Sequence, residues 1–185
     1  MTITVITGSG HKDSASSYLA DEFSKGAKEN GNVVFRFDAG LEKVNPCIGC
    51  RICRNSKRCV YDDAFMGLSK KILESNIIVW VTPVYYMTMT SQLKTVIDRM
   101  YQLETDSRLR SNKKYILIAT AWDNNKSVFD VLKDTFNAFC KFLRWEKIDE
   151  VLAYGVDSLD DIKNSSYGNK AYLLGKSIYV SEETN

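Results

Sequence analysis

Histidine occurs once in the 185 residues, at His11, and proline twice, at Pro46 and Pro83. A lone histidine with neither a second histidine nor a positioned carboxylate is a poor general base, which turns the reading away from triad-type hydrolysis. No low-complexity tract, internal repeat or interdomain linker is visible, and 44% hydrophobic content is enough for one packed core. The expectation is a single domain over residues 1–185. Nothing approaches 18 consecutive apolar residues, and the chain opens directly into ITVITGS, with no charged-then-apolar leader. A cytoplasmic protein without a membrane span is expected. With 25 Lys plus Arg against 23 Asp plus Glu, the net charge of +2 lacks the basic excess that nucleic-acid binding leaves, so no nucleic-acid partner is expected.

What is present is alternation. Extended β-rich runs at Thr2 to Thr7, Val33 to Phe37, Ile77 to Thr82, Tyr115 to Ala121 and Val151 to Val156 are separated by segments of helical period. Leu19, Phe23 and Ala27 repeat every four residues. Leu93, Val96, Ile97, Met100 and Tyr101 follow i, i+3, i+4, i+7, i+8. Phe65, Leu68 and Ile72 predict a shorter helix, Val128, Val131, Leu132, Phe139 and Leu143 another, and Ala171, Leu174 and Ile178 the last. Five β/α units predict an α/β fold: a flavodoxin-like, doubly wound five-stranded parallel sheet of order 2-1-3-4-5, with helices on both faces. Ligands of such sheets bind at the carboxyl ends of strands 1 and 3, where two unusual loops sit.

The first loop is Thr7-Gly8-Ser9-Gly10-His11-Lys12-Asp13-Ser14-Ala15-Ser16-Ser17. A glycine-bearing, hydroxyl-rich turn feeding a helix N-terminus offers backbone N–H groups and a dipole to a phosphate. It is neither a Walker P-loop nor GxGxxG, which weakens nucleoside-triphosphate and dinucleotide readings. The alternative is an ordinary strand-to-helix turn with Asp13 or Ser14 as N-cap. The second loop, Thr82-Pro83-Val84-Tyr85-Tyr86-Met87-Thr88-Met89-Thr90-Ser91, is apolar where a solvent loop would be polar. It could pack a flat ring, or bury Tyr85 and Tyr86 as core aromatics.

A third irregular segment, about residues 40–61, holds four of the five cysteines. Cys47, Cys50, Cys53 and Cys59 follow C-x2-C-x2-C-x5-C, close to the bacterial ferredoxin run but with a longer last gap. Four thiolates in one loop can hold a [4Fe-4S] cluster, tetrahedral zinc can use the same sulfurs, and plain or redox-labile thiols are the third reading. Arg51, Arg54, Lys57 and Arg58 lie among them and favour thiolates by charge. Cys140 reads as a small core residue, and Asp62-Asp63 as the cap of the next helix.

Together, GSGHKDSASSYLA, NPCIGCRICRNSKRCVYDDA and TPVYYMTMTSQLKTVIDR resemble the flavodoxin-like NAD(P)H-dependent FMN reductases, close to the iron-sulfur flavoprotein branch. The resemblance spans roughly residues 2–104. It implies that Ser9, His11, Ser14, Ala15 and Ser16 contact the FMN phosphate, with His11 where arginine is usual and Gly10 where proline is usual. It implies isoalloxazine contacts from Pro83, Val84, Tyr85, Tyr86, Met87 and Thr88, Met87 replacing the usual glycine. The loop after strand 4, Thr120, Ala121, Trp122 and Asp123, would close the flavin's other edge. For the cysteines it implies a [4Fe-4S] cluster held by Cys47, Cys50, Cys53 and Cys59.

The activity implied is an FMN-dependent oxidoreductase that passes electrons from NADH or NADPH to a small acceptor such as a quinone, flavin or azo compound, or to a protein. No catalytic side chain is expected, because flavin N5 carries the hydride. The alternative is an iron-sulfur flavoprotein acting as an electron carrier, with a ferredoxin-like protein as its partner. Carrier flavodoxins are typically acidic and this chain is not, whereas the cysteine motif favours the carrier. A receiver-type signalling domain has Gly8-Ser9 where it needs an acidic pocket. A homodimer or homotetramer is the family expectation.

Overall fold

Strand β3, Ile77–Pro83, reads IIVWVTP with no polar residue in its first five positions. A strand sends alternate side chains to opposite faces, so a run of this kind needs cover on both sides. The computed structural model, which describes residues 1–179, shows that cover. Ile77, Val79 and Val81 enter one apolar cluster, and Ile78 and Trp80 enter the other. Strand β3 is the centre of a five-stranded parallel sheet of order β2-β1-β3-β4-β5, with β1 at Thr2–Thr7, β2 at Val33–Asp38, β4 at Lys114–Thr120 and β5 at Glu146–Ala153.

Helices α1 (Ala15–Glu29), α6 (Leu159–Lys163) and α7 (Tyr167–Lys176) cover the first face. Leu19, Phe23 and Ala27 of α1 are fully buried there. Gly26 and Gly175 let α1 and α7 touch backbone to backbone: a Cβ on either would stand 2.1 Å from a carbonyl oxygen of the other helix. Helices α3 (Phe65–Glu74), α4 (Ser91–Arg99) and α5 (Asp130–Phe142) cover the second face. Trp80 packs there against Phe136, Phe139 and Trp145, with ring centroids 5.7 to 6.3 Å apart. Cys140 is fully buried in the same cluster, and burial pushes its thiol pKa far up, so it is a core residue without nucleophilic character.

The elements depart from the expected ones in several places, among them α6, which no apolar stripe announced, and Val128, which lies in a 3-10 segment ahead of α5. The helical stripe through Met100 and Tyr101 leaves the α-helix at Arg99 and continues as a 3-10 segment, Met100–Leu103. Strand β5 starts at Glu146, five residues before the apolar run, and pairs with β4 from there with a register shift near Tyr115. The long cysteine segment contains a short helix, α2, at Ile52–Ser56. The backbone ladder also runs past the strand ends: Gly8 N donates to Val81 O, Val84 N to Thr120 O, and Ala121 N to Ala153 O, each at 2.8 Å. The loops after β1, β3, β4 and β5 therefore leave along one edge.

Candidate functional site

Strand β1 ends at Thr7, and Gly8 turns the chain where no side chain fits, since a Cβ there would lie 2.5 Å from Thr90 Oγ1 and 2.8 Å from Leu93 Cβ. Thr90 Oγ1 donates to Gly8 O at 2.7 Å and accepts from Leu93 N, capping α4. Ser9 Oγ accepts from His11 N at 3.1 Å and closes the turn. Ser14 caps α1, its Oγ accepting from Ser17 N at 3.1 Å and lying 3.3 Å from Ser16 Oγ. The N–H groups of Ala15 and Ser16, in the first turn of α1, have no intrahelical acceptor and carry the positive end of its dipole. Gly40 backs this loop, with its Cα so close that a Cβ would stand 1.9 Å from Ser9 O.

Opposite, β3 runs into Pro83 and a two-residue turn. Tyr85 N donates to Thr88 O at 2.9 Å and Thr88 N to Tyr85 O at 3.2 Å. Tyr86 and Met87 between them both have positive φ, 46° and 67°, the left-handed pair of a tight hairpin usually built with Asn or Gly. That turn projects outward. Tyr86 is completely exposed, Tyr85 and Met87 about half, and Trp122 largely, so none of these four is a core residue.

A cleft of about 270 Å³ lies between the loops. Of the residues expected at the cofactor, Ser9, His11, Ser14, Ala15, Ser16, Pro83, Val84, Tyr85, Thr120, Ala121 and Trp122 line it. Tyr86 and Met87 line an adjoining groove that shares Val84, Tyr85, Ala121 and Trp122 with the cleft. Thr88 lines neither, and its backbone closes the turn instead. One wall carries hydroxyls, free N–H groups and a helix N-terminus. The other is apolar and aromatic. Such a cleft fits a molecule with an anionic end and a flat ring.

Sequence reading missed the floor. Val156, Asp157, Ser158 and Leu159, from the loop after β5, complete the cleft. A signal was present: Ser158 and Asp161 form a capping box, Ser158 Oγ accepting from Asp161 N at 3.1 Å and Asp161 Oδ2 from Ser158 N at 2.9 Å. Asp13, read only as a cap, also stands on the rim.

The cysteine loop forms a second, separate site. Cys47, Cys50, Cys53 and Cys59 all line one pocket of about 20 Å³, room for roughly one water. Cys47 and Cys50 are exposed, while Cys53 and Cys59 are half-buried. Burial, with the neighbouring Cys59, Cys50 and Cys47, raises the Cys53 thiol above its ordinary pKa. Among the described residues no three His, Cys, Asp or Glu side chains are arranged to hold a metal ion, so the four thiols share a pocket without closing on one point. Asp63, expected to cap α3, does contact Phe65 N at 3.2 Å, but its principal partner is Arg99, a buried ion pair that the sequence pattern did not signal.

Parts of this sequence, and its fold, recur in known proteins. The chain is 35% identical over 95 residues to an iron-sulfur flavoprotein of Archaeoglobus fulgidus, a match covering 51% of this chain and 43% of that one. It is 27% identical over 139 residues to a second iron-sulfur flavoprotein, MJ1083 of Methanocaldococcus jannaschii, covering 75% and 72%. The chain thus spans less than half the length of the first relative. Its fold superposes on the NAD(P)H:quinone oxidoreductase of Methanothermobacter marburgensis with a TM-score of 0.79, covering 100% of this chain and 99% of the other at 12% identity. The family model described as NADPH-dependent FMN reductase matches residues 1–154, and this chain belongs to that family.

Proposed function

We propose that the chain binds FMN in the 270 Å³ cleft and passes electrons from NADH or NADPH to a small acceptor, a quinone, flavin or azo compound, or to a protein. The observation that carries this reading is the two-sided cleft itself: hydroxyls and a helix N-terminus face an apolar, aromatic wall in a member of this family. The phosphate is assigned to Ser9, Ser14, Ser16 and the N–H groups of Ala15 and Ser16, with His11 at the rim. Asp13 opposes a phosphate by charge, so neutral donors and the α1 dipole supply the attraction. Pro83, Val84, Tyr85, Thr120 and Ala121 are assigned to the isoalloxazine. Tyr86, Met87 and Trp122 flank the adjoining groove, where a second flat ring could stack.

Bound FMN supplies the hydride chemistry, which asks no nucleophile or acid–base pair of the protein. The β3 and β4 loops, tied to the sheet by Val84 N–Thr120 O and Ala121 N–Ala153 O, would hold the ring. The assignment is tested by Ser16→Ala and Tyr85→Ala, each expected to lower FMN retention about tenfold, the size of losing one or two good contacts. Undiminished FMN affinity in both would refute it.

A second reading is favoured by one observation, the four thiols on a single pocket, and by the names of the two relatives. In it Cys47, Cys50, Cys53 and Cys59 hold a [4Fe-4S] cluster and the chain carries electrons between FMN and a ferredoxin-like protein. Four sulfurs with basic neighbours would suit such a cluster chemically. An absorption spectrum of protein purified without oxygen, before and after NADPH, with iron and sulfide assays, decides between the two. Flavin bands that bleach without iron support the reductase alone; about four irons per chain support the cluster. Among the described residues no helix is long and apolar enough to cross a membrane, and a cytoplasmic homodimer or homotetramer completes the proposal.

A further inference from the structure

The cysteine loop leaves the fold at Asn45 and rejoins it at Asp63, and both ends meet one side chain. The side chains of Arg99, the last residue of α4, and of Asp63 are 1% and 5% exposed. Arg99 Nη1 donates to Asp63 Oδ2 at 2.7 Å and to the Asn45 carbonyl at 2.8 Å, while Nη2 donates to Asp63 Oδ1 at 3.1 Å. Asp63 Oδ2 also accepts from Asn45 N at 2.9 Å and Asn45 Nδ2 at 3.0 Å. The guanidinium lies 5.4 and 4.9 Å from the Tyr61 and Phe65 ring centroids. Burial by itself would raise the Asp63 pKa; the hydrogen bonds from Arg99 and Asn45, with the Arg99 charge, overcome it and hold the carboxyl at about 2.

Between these ends the hold is weaker: the Arg54 guanidinium lies 5.3 Å from the Tyr101 ring centroid, an exposed cation–π contact. Helix α2 buries no residue, and left-handed Arg51 and Lys57 bound it at φ 59° and 57°. Arg99, by contrast, stands on the wall of the thiol pocket itself, and its Nε–H is buried with no partner among the described residues. Its helix is fixed at the opposite end, where Thr90 binds Gly8 of the phosphate loop. A buried ion pair is poor at adding net stability compared with apolar packing, and good at defining where two segments sit.

We propose that Arg99 is the positioning residue of the cysteine loop, holding both loop ends on α4 so that the four thiols face one pocket whether or not they carry iron. The proposal goes beyond the functional reading, because it concerns the order of the empty loop. The test uses FMN-loaded protein whose loop has been stripped of metal by a chelator without oxygen. N-ethylmaleimide is added and each labelled cysteine is located by peptide mass mapping. In the wild type Cys47 and Cys50 label fast, Cys53 and Cys59 slowly, and Cys140 not at all.

The informative variant is Arg99→Met with Asp63→Leu, which replaces both charges by apolar groups and so avoids a stranded buried ion. Expected are FMN retained, Cys140 still protected, and labelling of Cys53 and Cys59 faster by about tenfold, as for a segment that opens locally. Arg99→Lys keeps the charge but lacks the fork that reaches three acceptors, and should give an intermediate rate. Loop rates within about twofold of wild type in a folded double variant would overturn the proposal, since local opening would then be unaffected. If Cys140 labels in the double variant, Arg99→Lys alone decides: wild-type rates overturn the proposal and raised rates at Cys53 and Cys59 with Cys140 protected support it. Iron and sulfide on untreated wild-type protein report separately on the cluster.

Discussion

The phosphate loop and the cysteine loop are held by opposite means. The first is fixed by backbone: Gly8 and Gly40 bring main chain against main chain and side chain at distances no Cβ tolerates, and its hydroxyls bond within a few residues. The second is fixed chiefly by one long side chain, Arg99, which crosses 36 positions of sequence to Asp63 and 54 to Asn45. Backbone pinning leaves donors free for a ligand and makes the loop sensitive to any added atom. Side-chain pinning leaves the loop's own residues free to be thiols and concentrates its order in a single group.

That contrast can be broken at four points. The largest effect is expected from Arg99→Met alone, which strands the Asp63 carboxylate in the core and should cost about 3–5 kcal/mol in urea unfolding. Protonation relieves part of that loss. In the wild type the Asp63 contribution is complete above about pH 4 and is lost as pH falls toward its folded pKa of about 2, and the variant should lack that part of the acid slope.

Gly40→Ala comes next. Its methyl would meet Ser9 O, so the phosphate loop must move, with a loss of about 2–3 kcal/mol and of FMN binding together, read by denaturation and flavin fluorescence. Ser14→Ala removes the α1 cap and should lower stability by about 1 kcal/mol, without altering maleimide labelling of the cysteine loop. Met87→Gly has the opposite sign: the left-handed backbone at φ 67° suits glycine, and a gain of about 0.5–1 kcal/mol in thermal unfolding is expected. Should Ser14→Ala accelerate labelling at Cys53, the two loops are not separately secured.

The strands and the two covered faces were legible because they rest on local periodicity, and the sheet order and place of the cleft because five β/α units suit one common doubly wound layout. Ile77 to Val81 could only be a strand buried on both faces, and Leu19, Phe23 and Ala27 only a helix laid on it. Strand β5 was half hidden because its first residues, Glu-Lys-Ile-Asp-Glu, sit mostly exposed at the sheet edge and hold a single apolar side chain, too few for an alternating signal. The cleft floor from Val156 to Leu159 was missed for a different reason. Its capping box marks a helix start, but only the parallel register shows that β5 delivers it to the same edge as Ser9. The Asp63–Arg99 pair was invisible, since no rule of spacing connects residues 36 apart that meet only after β3 and α4 are in place.

The glycine contact between α1 and α7 has a consequence for synthesis. The face that holds Ile3, Val5 and Val79 is sealed by one helix from residues 15–29 and another from residues 167–176. A nascent chain emerging from the ribosome therefore leaves the α7 side of that apolar surface uncovered until nearly every described residue has been translated. Closure joins the most distant parts of the sequence, the kind of step that is slow and exposed to aggregation. Gly26 and Gly175 then act as a late latch, and a side chain at either would prolong the interval in which a chaperone must guard the sheet.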